Sequence, residues 1–87
     1  MPKYEVYFKA SAEKELYRLD SKLVKHVLNK IEVLSLNPRT RGAIKLKRNI
    51  AYRYRVGDYR IVYEIDDYKR TVTVFRIRHR KDVYRDF

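Results

Sequence analysis

An arginine-rich segment in the second half of the chain has residue types and spacing that are suited to chemistry. The segment YRYRVGDYRIVY, residues 52–63, alternates with a period of two around a Gly-Asp pair, which is typical of a β-hairpin. If Val56 pairs with Tyr59, Arg55 lies directly across from Arg60. Like charges in directly opposed positions destabilise a sheet. The pattern therefore indicates a functional need for positive charge on this face.

Several arginines on one rigid surface are suited to binding phosphate, because each planar guanidinium can donate two hydrogen bonds. The candidate phosphate-binding residues are Arg53, Arg55, Arg60, Arg76 and Arg78 on the outer face of the predicted sheet, with Lys45, Lys47 and Arg48 from a basic connection at 38–49. The alternative is a solvated face whose arginines pair with Glu64, Asp66 and Asp67. Nearby acids are too few to neutralise both Arg55 and Arg60, so an anion site is favoured.

The segment HRKDVYRDF, residues 79–87, contains the candidates for proton transfer in this region, His79, Arg80 and Tyr84. A tyrosine has a reference pKa of about 10, and nearby cations lower it. Tyrosine among arginines is therefore compatible with metal-free RNA cleavage, in which the 2′-OH attacks the neighbouring phosphate and the protein positions the backbone and moves protons. The simpler alternative is a Tyr84 ring packed against a helix and a surface position for His79.

Composition narrows the classes of function further. The 87 residues indicate one domain, and 22 basic against 11 acidic residues give a net charge of +11, which favours a polyanionic partner. The sequence has no carboxylate pair or histidine-rich metal spacing, so metal-dependent nuclease chemistry is disfavoured and no cofactor is expected. With no cysteine, no signal peptide and no apolar run of spanning length, we expect a cytoplasmic protein without a membrane partner.

The elements that must position these residues begin with a strand and two helices. KYEVYFK at 3–9 alternates and predicts a strand. Ser11 is the expected N-cap of a first helix, and a second helix is expected from Asp20 or Ser21 to the Asn-Pro pair at 37–38. The helix residues expected in the core are Ala12, Leu16, Leu19, Leu23, Val24, Val27, Leu28, Ile31 and Leu34.

Three further strands are predicted near 52–56, 59–65 and 71–78. The face of the hairpin expected to lie under the helices carries Tyr52, Tyr54, Val56, Tyr59, Ile61 and Tyr63. The expected fold is α+β, a β-α-α-β-β-β unit whose two N-terminal helices pack on one face of a mainly antiparallel four-stranded sheet. One domain is expected to span residues 1–87.

The register of the last strand decides which of its side chains join the arginines. Pairing of Ile65 with Thr71 would place Phe75 and Ile77 on the core face. Arg76 would then lie beside Arg60. A slip of one residue would invert every side chain of the strand.

The arrangement as a whole resembles the RelE/ParE superfamily of bacterial and archaeal toxins. The resemblance covers essentially the whole chain and is most specific in NPR (37–39), YRVGDYRIVYEI (54–65) and HRKDVY (79–84). It implies one of two activities. The RelE branch cleaves mRNA in the ribosomal A site without a metal, whereas the ParE branch poisons DNA gyrase and generally lacks the catalytic residues.

The RelE pattern implies roles for individual residues of this chain. Its two basic residues before the hairpin turn match Arg53 and Arg55, and its arginine after the turn, expected at the cleaved phosphate, matches Arg60. Its later arginine, expected to help the leaving group, matches Arg80, and the tyrosine proposed as general base matches Tyr84. The resemblance therefore selects the same face as the hairpin pattern.

The chain departs from the RelE pattern at the first two of these positions. Lysines are frequent there, and arginine, unlike lysine, cannot change protonation near neutral pH. We therefore assign Arg53 and Arg55 to electrostatic stabilisation alone. Some relatives use a histidine near the tail, so either Tyr84 or His79 remains a candidate for the base.

The resemblance also implies partners. For a RelE-like toxin these are the ribosome with its mRNA and a RelB-like antitoxin, acidic or disordered, that wraps the toxin and links it to operator DNA. The alternatives are a ParE-like gyrase inhibitor and a catalytically inactive relative that binds antitoxin, operator or RNA.

Overall fold

The computed structural model of the chain describes residues 3–46 and 50–81. In chain order the elements are β1 (Glu5–Phe8), α1 (Ala10–Tyr17), α2 (Ser21–Leu36), β2 (Ile44–Lys45), β3 (Ala51–Val56), β4 (Tyr59–Asp66) and β5 (Thr71–His79). The strands form one sheet in the order β1-β5-β4-β3-β2, in which β1 is parallel to β5 and the other neighbours are antiparallel. Within the described residues, neither helix has the length and apolar character needed to cross a membrane.

The predicted α+β arrangement is confirmed, and the sheet has one strand more than expected. The additional strand, β2, lies in the connection predicted at 38–49 and pairs with Tyr52 and Arg53 of β3. Because it contains only two residues, it has no detectable periodicity in the sequence. The parallel pairing of β1 with β5 is possible because α1 and α2 carry the chain across the sheet before the antiparallel strands begin.

The core lies between the two helices and one face of the sheet. Its buried residues are Ala12, Leu16, Val27, Ile31 and Leu34 from the helices and Tyr54, Val56, Ile61, Tyr63, Val72, Val74 and Ile77 from the sheet. The predicted inward faces of the helices and of the hairpin are thus largely confirmed. Leu28 is a correction, because its side chain is 45% exposed. It lies roughly 100° around the helix from Val27, which occupies the inward position.

The two helices begin in different ways. The helix α2 begins at Ser21, at the predicted start, and its N-cap is Asp20, whose Oδ1 accepts a hydrogen bond of 2.9 Å from the Leu23 N–H. The predicted N-cap of α1 is wrong, because Lys9 occupies that position and makes no side-chain capping bond. Ser11 lies inside the first turn, and its hydroxyl donates instead to the Phe75 carbonyl at 3.2 Å. The hydroxyl therefore connects α1 to β5.

The predicted register of the β3–β4 hairpin is confirmed. Val56 pairs with Tyr59 and Arg55 with Arg60 across a two-residue turn. Gly57 in this turn has φ +60°, a left-handed conformation that glycine adopts without the steric cost of a side chain. The turn therefore fixes the direct opposition of two arginines.

The predicted start of the β4–β5 pairing is wrong by one residue. Ile65 pairs with Val72, and Thr71 pairs with Asp66. The turn between the strands is tighter than expected because Arg70 adopts a left-handed conformation with φ 58°. Arginine rarely adopts this conformation, so the sequence contains little warning of the tighter turn.

A β-bulge in β5 then changes which face the following side chains occupy, so that Ile77 points to the core and Arg76 and Arg78 to the outer face. The register shifts by one residue, which leaves Phe75 as the extra residue of the bulge. Phe75 is half-buried and lies outside the core, contrary to prediction, whereas Ile77 is buried as predicted. Arg60 consequently pairs with Arg78, and the predicted position of Arg76 beside it is wrong. The bulge therefore determines which arginines are neighbours.

Candidate phosphate-binding site

Five arginines occupy the outer face of the sheet, opposite the helices, and we call them the arginine array. They lie in two rows across β3, β4 and β5: Arg55, Arg60 and Arg78 in the first, and Arg53 and Arg76 on either side of Val62 in the second. In the first row, three guanidinium-bearing residues are directly opposed on three adjacent strands. Such opposition destabilises a sheet, so fold stability provides no reason for it.

Val62 forms the floor of the array. It is only 1% exposed, although it lies on the face away from the helices and outside the main core. Its cross-strand neighbours on that face are Arg53 and Arg76, both half-buried. The two arginines therefore lie on either side of a buried apolar residue of β4.

The hairpin half of the array consists of Arg53, Arg55 and Arg60. Arg55 donates from Nε to the Gly57 carbonyl at 2.8 Å, which holds its side chain along the turn. Among residues 3–46 and 50–81, no carboxylate forms a salt bridge with these three arginines. Their charge is therefore not neutralised within the described part of the chain.

The β5 half of the array consists of Arg76 and Arg78, and it meets a carboxylate from α1. Glu15 Oε2 lies 2.7 Å from Arg78 Nε and 4.0 Å from an Arg76 guanidinium nitrogen. Its other oxygen, Oε1, accepts a hydrogen bond of 2.9 Å from the Ile77 N–H. The Glu15 side chain is 15% exposed, so solvent screens this contact less than it screens a surface pair.

Glu15 was not among the residues predicted for the site, although its position in the sequence contains a signal. Position 15 falls within the apolar stripe of α1, three residues after Ala12 and four before Leu19. A carboxylate on an inward helix face normally has a partner, because an unpaired buried charge is costly. The identity of that partner depends on the pairing of β5 and could not be deduced locally.

Two of the remaining predicted site residues lie at the end of β5. The His79 ring lies edge-to-face with that of Tyr59, its partner across the strands, at 5.3 Å and therefore on the opposite face from Arg78. Arg80 is exposed, and its N–H donates to the Asp58 carbonyl at 2.7 Å, which ties the end of β5 to the hairpin turn.

The other candidates are not brought into the array by the described residues. Lys45 pairs with Tyr52 and shares the face of that residue, which is the face opposite to the array. Lys47, Arg48 and Tyr84 lie outside the described residues, and their assignments remain predictions.

Asp67, one of the acids near the arginines in the sequence, has partners outside the array. It accepts two hydrogen bonds from Arg39, at 2.8 and 3.0 Å, and one from the Tyr4 hydroxyl at 2.7 Å. The bond from Arg39, followed by that from Tyr4, lowers the pKa of the Asp67 carboxyl to about 2. The same contact, with a further one to Tyr52, raises the pKa of Arg39. Asp67 thus stabilises the carboxyl end of β4 and leaves the array charged.

The fold and the array together define a small basic α+β protein with one dense cationic face. The family model described as ParE toxin of the type II toxin-antitoxin system, parDE, matches residues 6–84. The chain therefore belongs to the RelE/ParE superfamily of type II toxin–antitoxin toxins, which confirms the resemblance in its sequence.

Individual relatives agree with this membership. Toxin RelG of Mycobacterium tuberculosis is 35% identical over 85 residues, which cover 94% of this chain and 97% of the relative. Among solved structures, the RelBE2 toxin-antitoxin complex of the same organism matches with a TM-score of 0.83 at 33% identity, covering 94% of this chain and 97% of the other. The archaeal RelE-RelB complex of Pyrococcus horikoshii matches with a TM-score of 0.81 at 26% identity, with coverages of 92% and 97%.

Proposed function

We propose that this toxin is a RelE-like endonuclease that cleaves mRNA in the ribosomal A site and thereby inhibits translation. The observation that supports this most is the first row of the array, in which Arg55, Arg60 and Arg78 are directly opposed. A phosphate that gains negative charge in a transition state is stabilised by donors already fixed around it. An acidic protein partner would also be attracted by this charge, but it would not require donors fixed around one phosphate.

The proposed reaction is an internal transfer at one phosphate. The 2′-oxygen of the mRNA forms a bond to the adjacent phosphorus, the bond to the 5′-oxygen breaks, and a 2′,3′-cyclic phosphate and a 5′-hydroxyl result. The protein needs only to align the groups, move two protons and stabilise the phosphorane charge. No metal takes part in this scheme.

Each role is assigned to a residue of the array or of the segment 79–87. Arg60, at the centre of the first row, contacts the scissile phosphate, and Arg53 and Arg55 stabilise its charge. Arg80, tied to the hairpin turn through its backbone, assists the 5′-oxygen that leaves. Tyr84 removes the 2′-OH proton, because His79 lies on the other face of β5 from the array.

The ribosome has a physical role in this proposal. A tyrosine is a weak base at neutral pH, so the reaction depends on accurate alignment of the 2′-OH. The ribosome would supply that alignment by holding the mRNA. A cytoplasmic location follows from this substrate, and free RNA is expected to be a poor one.

A cognate antitoxin is the second proposed partner. The similar structure from Mycobacterium tuberculosis is a toxin-antitoxin complex, and the one from Pyrococcus horikoshii is a complex of RelE with RelB. For this chain we propose an antitoxin with an acidic or disordered segment that covers the array or displaces the residues after β5. Contact with operator DNA would be made through the antitoxin.

A ParE-like inhibitor of DNA gyrase is the second candidate function, and the description of the matching family model favours it. A catalytically inactive relative is the third. The first two candidate functions differ in target and in chemistry. Inhibition of gyrase would require contacts with that protein and no cleavage of RNA by the array.

The deciding experiment measures cleavage of an mRNA on programmed ribosomes beside a gyrase supercoiling assay with the same preparation. We expect cuts within the A-site codon, strong loss of cleavage by Tyr84→Phe, which removes only the hydroxyl, and no gyrase inhibition. Arg41→Ala, an exposed arginine away from the array, is the matched control and should cleave normally. Inhibition of supercoiling at stoichiometric toxin without mRNA cleavage would overturn the proposal.

A further inference from the structure

The edge of β5 is completed by a helix instead of a strand. Pairing of β1 with β5 ends at Phe8 and Val74, and beyond this point α1 lies beside β5. Ser11 donates to the Phe75 carbonyl at 3.2 Å, and Glu15 accepts from the Ile77 N–H at 2.9 Å. Two backbone groups next to the bulge are thus satisfied by side chains of one helix.

Glu15 differs from Ser11 because it also contacts the array. Its two oxygens have separate functions: Oε1 holds the backbone of β5, and Oε2 pairs with Arg78 at 2.7 Å and lies 4.0 Å from Arg76. The carboxylate is therefore fixed relative to the strand that carries both arginines. An ion pair with a fixed partner restricts the rotamers of a long side chain, which would otherwise lose that freedom on binding a ligand.

We propose that Glu15 is a positioning residue for the arginine array, which holds Arg78 and Arg76 in the orientation that receives an RNA phosphate. The inference rests on the proposed function for its catalytic consequence, whereas its structural part is independent of it. Glu15 also removes one unit of positive charge from the array. It therefore improves alignment while weakening the attraction for a polyanion.

These two effects have opposite signs, so one substitution separates them. Glu15→Gln keeps the size of the side chain and an oxygen for the Ile77 N–H, but it removes the ion pairs. We expect single-turnover cleavage on saturating programmed ribosomes to slow about tenfold or more, as expected when a charged group that aligns another is lost. Affinity for a 2′-O-methyl oligonucleotide, which cannot be cleaved, should stay equal or rise.

Two control variants make the test specific. Glu13→Gln removes the same charge from the same helix at an exposed position, and it should leave the cleavage rate unchanged. Ser11→Ala removes the other contact of α1 with the β5 edge without touching an arginine, and it should lower thermal stability while cleavage continues. If Ser11→Ala slows cleavage as much as Glu15→Gln, the helix supports the strand edge only and the proposal is wrong.

A readout that does not depend on cleavage separates this proposal from the proposed function. In the ¹⁵N spectrum of the wild-type protein, the Arg78 Nε–H resonance should be displaced by the carboxylate 2.7 Å away, and this displacement should be lost in Glu15→Gln but retained in Glu13→Gln. If the wild type does not cleave mRNA but the displacement follows this pattern, the proposed function fails and the positioning role stands. An Arg78 resonance with the same position in the wild type and in Glu15→Gln would overturn the positioning role.

Discussion

The two halves of the arginine array are built in different ways. In the hairpin half, Arg53, Arg55 and Arg60 are close in sequence, and no carboxylate in the described part of the chain pairs with them. In the β5 half, Arg76 and Arg78 meet Glu15, which comes from the first helix. The difference indicates a division of labour, in which one half supplies unneutralised charge and the other supplies fixed orientation.

The largest effect is expected from the centre of the hairpin half. Arg60→Ala removes the residue opposed by arginines on both neighbouring strands, and it should reduce single-turnover cleavage on programmed ribosomes roughly 10²- to 10³-fold, the effect typical of a lost transition-state donor. Arg60→Lys keeps the charge but loses the planar fork, so it should recover only part of the rate. A rate unchanged in Arg60→Ala would remove the catalytic role of the hairpin half.

A smaller effect, on the salt dependence of RNA affinity, is expected for Arg55 in the same half. If Arg55 contacts RNA phosphate with its full charge, Arg55→Ala should reduce the slope of log affinity against log salt concentration by about 0.7 for a single-stranded probe. The slope can be measured by fluorescence anisotropy with an oligonucleotide that cannot be cleaved. Arg41→Ala should leave the slope unchanged, and an equal change in both variants would mean that charge acts without regard to position.

The smallest effect, on the stability of the protein, is expected for an arginine outside the array. Arg39 is paired with Asp67 through two hydrogen bonds, so it resembles the β5 half in having a carboxylate partner. The pKa of Asp67 is lowered from 3.8 to about 2 in the folded protein. Its contribution to stability is therefore present above pH 3.8 and is lost as the pH falls through about 2.

Acid unfolding followed by circular dichroism tests this pairing. The wild-type protein should be more stable than Asp67→Asn near neutral pH, and the difference should shrink between about pH 4 and pH 2. The effect should be small, because the pair is exposed to solvent. A difference that is constant over this range would show that ionisation of Asp67 does not contribute to stability. Mutation of Asp67 should leave mRNA cleavage unchanged, in contrast to mutation of Glu15.

The same two regions show how far the sequence can predict this structure. The hairpin register follows from strict alternation around Gly57, so the opposition of Arg55 and Arg60 could be deduced from the sequence alone. The neighbour of Arg60 on β5 could not, because it depends on the left-handed Arg70 and on the bulge at Phe75. Neither feature has a local sequence signature.

The candidate site also contains contacts between segments that are distant in the sequence, and these could not be predicted from it. The inward face of α1 could be identified from Ala12 and Leu16, but the partner of Glu15 depends on where α1 lies along β5. Resemblance to a known superfamily supplied roles for Arg80 and Tyr84 that periodicity could not supply. The sequence therefore predicted which arginines form the array. Their pairing across the strands could be known only from the fold.

The position of β5 in the sheet also determines when the protein can fold during its own synthesis. This strand lies between β1 and β4, yet it is the last of the described elements to be translated. Until it emerges, β1 has no partner, and the helices lack Val72, Val74 and Ile77 to pack against. Contacts that join the two ends of a chain form late, because a long loop must close first. A nascent chain without β5 therefore has no assembled array, because Arg76 and Arg78 belong to that strand.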